Sequence, residues 1–235
     1  MIDVFFNGVT LKECHSDIHR NIASLRETEN LFDDLTDAPQ GWQAATELEI
    51  LTKPHTYLSN QPIIDRPFEE ADYCEAITYP FDNWSASRYS DGSYGVWYGA
   101  KTLETTIYET AYHWRHGLLK DVGWENIDDV VIQRKVYFVR CDSSLLNFIP
   151  KLDLFPELIN PNSYHFTQQI GARIHHEGHP GLLSQSARCE GNVYAIFNKQ
   201  ILSNPRQQCY LSYRIDAENI VIERQPNEII LTIKS

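Results

Sequence analysis

The stretch "SRYSDGSYGVWYGAKTLETTIYET", residues 87–110, contains three side chains that could act on a charged ligand. Arg88 precedes a glycine-containing turn, Tyr98 ends a predicted strand, and Glu109 lies in the helix predicted to follow. An arginine fork can donate two parallel hydrogen bonds to a pyrophosphate. A tyrosine offers a flat face with a polar tip, and a carboxylate can stabilise a cationic transition state. Spacing alone favours the ordinary interpretation, namely a turn arginine, a strand tyrosine and an exposed helix glutamate.

Together with a later stretch, this segment resembles the RES domain of bacterial toxin–antitoxin modules whose partner is an Xre-like protein. "SRY" carries the arginine–aromatic pair of that family, "GVWYGA" carries Tyr98, and "TIYETAYHWR" carries Glu109. "LLSQSARCEGNVYAIF" supplies a serine before Ala-Arg, here Ser186 and Arg188, followed by a glycine and a short strand. Four elements in the family's order make the resemblance specific, and it extends over about residues 76–199.

The resemblance implies a fold similar to that of ADP-ribosyltransferases and an activity on NAD+. Members of the family degrade NAD+ by hydrolysis or phosphorolysis, or transfer its ADP-ribose to a protein. Nicotinamide leaves as a neutral pyridine, so it needs no proton from the enzyme. One carboxylate therefore suffices, whereas glycosidases use a second carboxyl group to protonate the leaving oxygen. NAD+ is expected as a substrate, with no separate cofactor and no metal.

The resemblance also assigns roles to the four signature residues. Glu109 is expected to hold the nicotinamide-ribose hydroxyls and to stabilise the charge at the anomeric carbon. Arg88 is expected to hold a phosphate, Tyr98 to pack against the nicotinamide or its ribose, and Ser186 to position the nucleophile. The alternatives are that Arg88 only pairs with Glu109 and that Ser186 only caps a turn. Further candidates for contact with NAD+ are Tyr89, Lys101 and Arg188.

Other catalytic patterns are absent or interrupted. The segment "HHEGH", residues 175–179, contains Gly178 and is followed by Pro180. These two residues interrupt the helix that an HExxH zinc site requires. The histidines of "HWRH", residues 113–116, have no glutamate between them. No GxSxG, GxxxxGK[ST] or GxGxxG motif is found.

Composition limits the class of protein further. The 235-residue chain has a formal net charge of −12, which argues against broad attachment to nucleic acid or anionic membranes. Its five cysteines are scattered without a CxxC pair, which favours reduced thiols and a cytoplasmic protein. The resemblance implies a cognate Xre-like antitoxin that covers the cleft and carries the DNA-binding helix-turn-helix. This chain is therefore not required to bind DNA itself.

The pattern along the chain predicts an α+β fold in two parts. Residues 1–67 are predicted as a helical N-terminal extension, and residues 68–235 as the RES catalytic domain with a mixed or antiparallel sheet and inserted helices. In the extension, Ile18 and Ile22 follow helical spacing within residues 16–35, and a second helix is predicted over 41–54. The other predicted elements are helices over 102–117 and 162–178, and strands that include "AITYP", "YGVWYGA", "VVIQRKVYFVRC", "GLLSQSA", "NVYAIFN", "CYLSYRI", "NIVIE" and "EIILTI".

The leading hypothesis from the sequence is a toxin enzyme that cleaves the nicotinamide–ribose bond of NAD+. Its acceptor is left open between water, inorganic phosphate and a protein side chain. The enzyme alternative is a protein ADP-ribosyltransferase that uses the same pocket. The non-enzymatic alternative is a binding partner whose pocket only docks its neighbour.

Overall fold

The computed structural model describes residues 2–23, 68–124, 127–225 and 228–234. The helices in these ranges are α1 (Ile2–Phe6), α2 (Phe68–Asp82), α3 (Leu103–His113) and α4 (His165–Glu177), and α3 continues into a π-helix (Trp114–Leu119). The strands are β1 (Thr10–Ala23), β2 (Ala86–Ser87), β3 (Ser90–Asp91), β4 (Trp97–Ala100), β5 (Val131–Asn147), β6 (Gly181–Gln185), β7 (Asn192–Ile196), β8 (Leu202–Asp216), β9 (Asn219–Glu223) and β10 (Ile229–Lys234). The mixture confirms the predicted α+β class.

Eight of these strands form one sheet in the order β1-β4-β7-β6-β5-β8-β9-β10. β1 also pairs with β5, so the first five strands close into a ring from which β8, β9 and β10 extend. Every pair in this sheet is antiparallel except β5 with β6. The sheet is therefore mixed but mainly antiparallel, as the sequence predicts.

The helix predicted from residue 16 is wrong over its described part. Residues 10–23 form β1, which pairs along its length with β5, from Thr10 opposite Asn147 to Ala23 opposite Arg134. Because β1 lies inside the sheet, these residues are not a separate helical unit. The rest of the predicted extension, residues 24–67, lies outside the described residues, as does the helix predicted over 41–54.

Two other local predictions are wrong. "AITYP", predicted as a strand, lies in α2, where Ala76 and Ile77 are buried against the sheet. Gly117, predicted to end a helix, lies inside the π-helix. Helix α3 is capped at its start, since the Thr102 side chain accepts a hydrogen bond from the Thr105 backbone N–H.

The core surrounds the ring of strands on several sides. Inside the ring, Trp97 is fully buried and its indole N–H donates to the Ala76 carbonyl at 2.8 Å. On another side, α4 packs Ile170 and Ile174 into a second buried cluster, and α3 packs Ile107 into a third. Within the described ranges, no helix is both long and apolar enough to cross a bilayer.

Candidate active site

A cavity of about 580 Å³ opens between β1, β4 and α3. Its volume lies within the range of small-molecule sites. Four residues predicted from the sequence line it: Arg88, Tyr89, Tyr98 and Glu109. Glu109 is the only carboxylate among the described residues of its lining, which also includes Arg20 and Arg88. The walls therefore combine one anionic group with cationic groups.

Glu109 is held in place by Ser186. The Ser186 hydroxyl donates to Glu109 Oε1 at 2.6 Å and accepts hydrogen bonds from the backbone N–H groups of Arg188 at 3.0 Å and Cys189 at 3.3 Å. Ser186 is 2% exposed, so this arrangement is shielded from solvent. Ser186 thus caps its turn and also fixes one oxygen of the Glu109 carboxylate.

The serine loop reaches helix α3 because residue 191 is a glycine. A Cβ atom at Gly191 would lie 2.0 Å from Thr105 Oγ1, in the first turn of that helix. No side chain fits at such a separation without displacing Thr105 or the loop. The glycine of the signature therefore permits the close approach that joins Ser186 to Glu109.

Arg88 does not pair with Glu109. Its Nη1 donates to the carbonyls of Asn160 at 2.9 Å and Leu158 at 3.3 Å, and its guanidinium lies 4.5 Å from the centre of the Tyr164 ring. These contacts come from the connection that precedes α4. No carboxylate among the described residues neutralises Arg88, which leaves its charge available to an anion.

Tyr98 braces the turn that carries Arg88. Its hydroxyl accepts from the Tyr89 backbone N–H at 3.0 Å and shares a 2.9 Å hydrogen bond with the Ser87 hydroxyl. Burial raises the Tyr98 pKa above its ordinary value, so the phenol stays neutral. The Tyr98 hydroxyl therefore fixes the residues on both sides of Arg88, while the residue also lines the cavity.

Arg20 is a cavity residue that the sequence analysis missed. It projects from β1, and its Nη1 donates to the Tyr98 carbonyl at 2.7 Å. Its Nε is buried without a hydrogen-bond partner among the described residues. Burial, with a smaller contribution from Arg134, lowers the Arg20 pKa to about 10. Arg20 is therefore still cationic at neutral pH, and its Nε–H group is available to donate a hydrogen bond to a ligand.

A buried network ties β1 to the helix that carries Glu109. The Asn21 amide donates to Tyr213 Oη at 2.8 Å and to Thr106 Oγ1 at 3.3 Å, and Tyr213 Oη bonds Thr110 Oγ1 at 2.9 Å. Arg134 Nε donates to Asn21 Oδ1 at 2.7 Å. The two threonines lie three residues before Glu109 and one after it, so the network fixes the rotation of α3.

The structure separates the three further ligand candidates. Tyr89 lines the cavity and is 1% exposed, and burial raises its pKa to about 12. Arg188 is not part of the cavity lining, but its guanidinium lies 3.2 Å from the ring centre of Tyr112, which is. Lys101 lies elsewhere, in a smaller cavity of about 340 Å³, and its Nζ donates to Ser16 Oγ at 3.1 Å.

Other lining residues were also missed by the sequence analysis, and for one of them a signal was present. His113 lies one helical turn after Glu109, so the two share a helix face. Its Nε2 is 4.0 Å from Glu109 Oε2. Tyr164 lies in the connection before α4, where no periodic pattern predicts which side chains face a cavity.

We expect His113 to titrate below the ordinary 6.5 of a histidine. Desolvation is the main cause of its lowered pKa, the cations Arg188, Arg88 and Arg134 add to it, and Glu109 opposes it. His113 is then neutral at pH 7, and its protonation below pH 6.5 destabilises the fold only weakly, because 59% of its side chain is exposed to solvent. NMR titration should show a midpoint below 6.5, and a still lower one in Glu109→Gln. An unchanged or higher midpoint in that variant would contradict the coupling.

The fold and the site define a mixed α+β domain whose cleft holds one hydrogen-bonded carboxylate beside cationic side chains. The family model described as the RES domain matches residues 63–216, which is more than half of the chain. The chain therefore belongs to the RES domain family, and the resemblance predicted from the sequence is confirmed. The M. tuberculosis MbcT–MbcA toxin–antitoxin complex is a similar solved structure, with 11% identity, a TM-score of 0.45, and coverage of 90% of this chain and 88% of that chain. No curated protein matches this sequence significantly.

Proposed function

We propose that this chain is a toxin enzyme that cleaves the nicotinamide–ribose bond of NAD+. The observation that carries the proposal is the Ser186–Glu109 hydrogen bond, which fixes a carboxylate in a cavity lined by Arg20 and Arg88. Membership of the RES domain family supports it. NAD+ is the substrate in this proposal, and no separate cofactor is required.

The charges of the site complement those of NAD+. Its pyrophosphate is anionic and suits Arg20 and Arg88, which have no carboxylate partner among the described residues. Its nicotinamide end is cationic, and cleavage moves positive charge onto the ribose, where Glu109 stabilises it. A carboxylate already held by Ser186 needs little reorganisation as that charge develops. The substrate is thereby oriented with nicotinamide near Glu109 and phosphates near the arginines.

The acceptor decides the reaction class. Water attacking the anomeric carbon gives ADP-ribose, nicotinamide and a proton. Inorganic phosphate gives ADP-ribose-1″-phosphate and nicotinamide, and a protein side chain gives an ADP-ribosylated protein. The cationic walls suit a phosphate nucleophile as well as the pyrophosphate of the substrate, so phosphate should be included in the test.

The experiment is incubation of the purified chain with NAD+ labelled in the ADP-ribose part, with and without phosphate and a cell extract. Loss of NAD+ with release of ADP-ribose or its phosphate ester supports the proposal. Labelled protein without a free product would favour the ADP-ribosyltransferase alternative. NAD+ that stays intact under all conditions would contradict both.

We further propose a cognate antitoxin of the Xre-like helix-turn-helix class that covers this cavity. The family resemblance supports this partner. The net charge of −12 is consistent with leaving DNA contact to the partner. Bound antitoxin should then protect NAD+ in the same assay, and full activity of the bound toxin would contradict the covering role.

We expect Arg20→Met to weaken NAD+ binding, because Arg20 is proposed to contact the pyrophosphate. Loss of a hydrogen bond to a charged group should raise KM by about 10- to 100-fold, with a smaller effect on kcat. Arg20→Lys should fall between this variant and wild type, since it keeps the charge but loses the fork. Arg140→Met is the matched control, because Arg140 pairs with Asp142 and does not line the cavity. An unchanged KM in Arg20→Met would remove Arg20 from the binding site.

A further inference from the structure

Helix α3 places an imidazole beside the free oxygen of the Glu109 carboxylate. His113 follows Glu109 by four residues, lines the same cavity, and holds its Nε2 at 4.0 Å from Glu109 Oε2. The other oxygen, Oε1, already accepts the Ser186 hydroxyl hydrogen. The carboxylate oxygen that Ser186 leaves free is therefore the one next to His113.

The separation between Oε2 and Nε2 suits one bridging water molecule. At 4.0 Å it is too long for a direct hydrogen bond, whereas a polar contact of this length can be bridged by a water. Such a water donates one hydrogen to Glu109 and the other to His113, when the imidazole carries its own hydrogen on Nδ1. The lone pairs of the water oxygen are then left free to attack a carbon atom.

The surroundings of His113 keep its imidazole neutral, which a proton acceptor requires. The charged and titratable groups that face it are Glu109 and Tyr112 on its own helix, Arg188 in the serine loop, Arg88 in the turn before β4, and Arg134 in β5. Desolvation is the main cause of the lowered pKa of His113, the three arginines add to it, and Glu109 opposes it. More than half of the side chain is exposed, so a proton taken up at Nε2 can pass on to solvent.

Water and phosphate differ in their need for such an acceptor. When water attacks, its oxygen bonds to the anomeric carbon, and the bond from that carbon to nicotinamide breaks with its electron pair left on the pyridine nitrogen. One proton must then leave the attacking oxygen. The phosphate dianion attacks through an oxygen that is already negatively charged, so no proton has to be removed. A base beside Glu109 therefore accelerates hydrolysis and leaves phosphorolysis unaffected.

We propose that His113 accepts the proton of the attacking water and is thus the residue that admits water as an acceptor. The inference rests on the proposed cleavage of NAD+ and assigns the hydrolytic branch of that reaction to one side chain. Glu109 keeps its role at the ribosyl cation, since a carboxylate oxygen has two lone pairs and can accept from a ribose hydroxyl and from the water together. The proton moves from the water to His113 Nε2 and from there to solvent.

The test compares wild type with His113→Gln, with labelled NAD+ in the presence of phosphate, and measures ADP-ribose and ADP-ribose-1″-phosphate separately. We expect formation of ADP-ribose to fall by about 10²-fold, at the lower end of the usual contribution of a general base, and formation of the phosphate ester to stay unchanged. The variant should melt near the wild-type temperature, because the side chain it alters is largely exposed.

A pH profile separates a proton acceptor from a residue with only a structural role. Without phosphate, kcat/KM of the wild type for hydrolysis should fall as the pH decreases, with the midpoint that NMR gives for His113 in the free protein. This dependence should be absent from the residual hydrolysis of His113→Gln. A wild-type profile with no such midpoint would contradict the assignment.

His176→Gln is the matched control, because it makes the same change at an exposed histidine of α4 that does not line the cavity. Both products should form at the wild-type rates. Wild-type hydrolysis in His113→Gln, or an equal loss of both products, would overturn the inference while NAD+ cleavage stands. A wild type that uses phosphate and never water would overturn it as well. NAD+ left intact by the wild type would instead refute the proposed function, and this inference with it.

Discussion

Glu109→Gln is expected to lower the rate of NAD+ cleavage by about 10²- to 10³-fold, the usual effect of removing one preorganised electrostatic contact at a transition state. The amide keeps the size of the side chain and an oxygen that can accept the Ser186 hydroxyl hydrogen at 2.6 Å. It loses the negative charge that would stabilise the developing ribosyl cation. The measurement is product release from labelled NAD+ under saturating substrate.

Glu104→Gln provides a matched control on the same helix, since Glu104 lies in its first turn and is exposed. This variant should cleave NAD+ at the wild-type rate. Both proteins should also melt at nearly the wild-type temperature, which separates a chemical defect from unfolding. Full activity of Glu109→Gln would refute the role of Glu109, whereas an inactive wild type would refute the proposed activity itself.

Gly171→Ala is expected to destabilise the fold strongly for so small a substitution. A Cβ atom at this position of α4 would lie 1.9 Å from the Tyr89 carbonyl oxygen, so the helix must move away from the turn that holds Arg88. Overpacking of this kind costs about 1–3 kcal/mol. For a chain of this size, the melting temperature should fall by about 2–12 °C.

The same substitution should raise the KM for NAD+, because α4 fixes the arginine turn in a second way. Gln168 Nε2 donates to the carbonyls of Ser87 at 3.0 Å and Ser90 at 3.1 Å, and displacement of the helix breaks these bonds. Gly117→Ala is the stability control, since a Cβ atom there meets nothing within 4 Å. Its melting temperature should stay the same or rise. Equal melting temperatures for Gly171→Ala and wild type would contradict the close packing.

The grouping of the candidate residues was predictable where they have a fixed order in the sequence. Arg88, Tyr98, Glu109 and Ser186 were all selected from the sequence, and the structure brings the first three into one cavity and the fourth against Glu109. The hydrogen bond between Glu109 and Ser186 was not predictable, because it depends on the packing of a loop against α3. Lys101 shows the limit of proximity in sequence, since it lies one residue after β4 and yet belongs to a different cavity.

Arg20 was missed because the spacing of its neighbours fits two structures. Ile18 and Ile22 are four residues apart, and residues at that spacing share a face in a helix as well as in a strand. The long pairing of β1 with β5 decides the conformation, and no short segment reveals such a partner. At "AITYP" the error was the reverse, a strand predicted where the structure has a helix. Its β-branched and aromatic residues are typical of strands but lie in the helix α2.

The position of β1 in the ring has a consequence for where an expressed fragment of this chain should start. The strand precedes residues 24–67, whereas its neighbours β4 and β5 follow them. A truncated chain that starts at residue 63, where the family match begins, would encode Glu109 and Ser186 but would lack Arg20. It would also leave the ring open between β4 and β5. The unit defined by family similarity is therefore smaller than the unit that must be expressed to obtain the cleft.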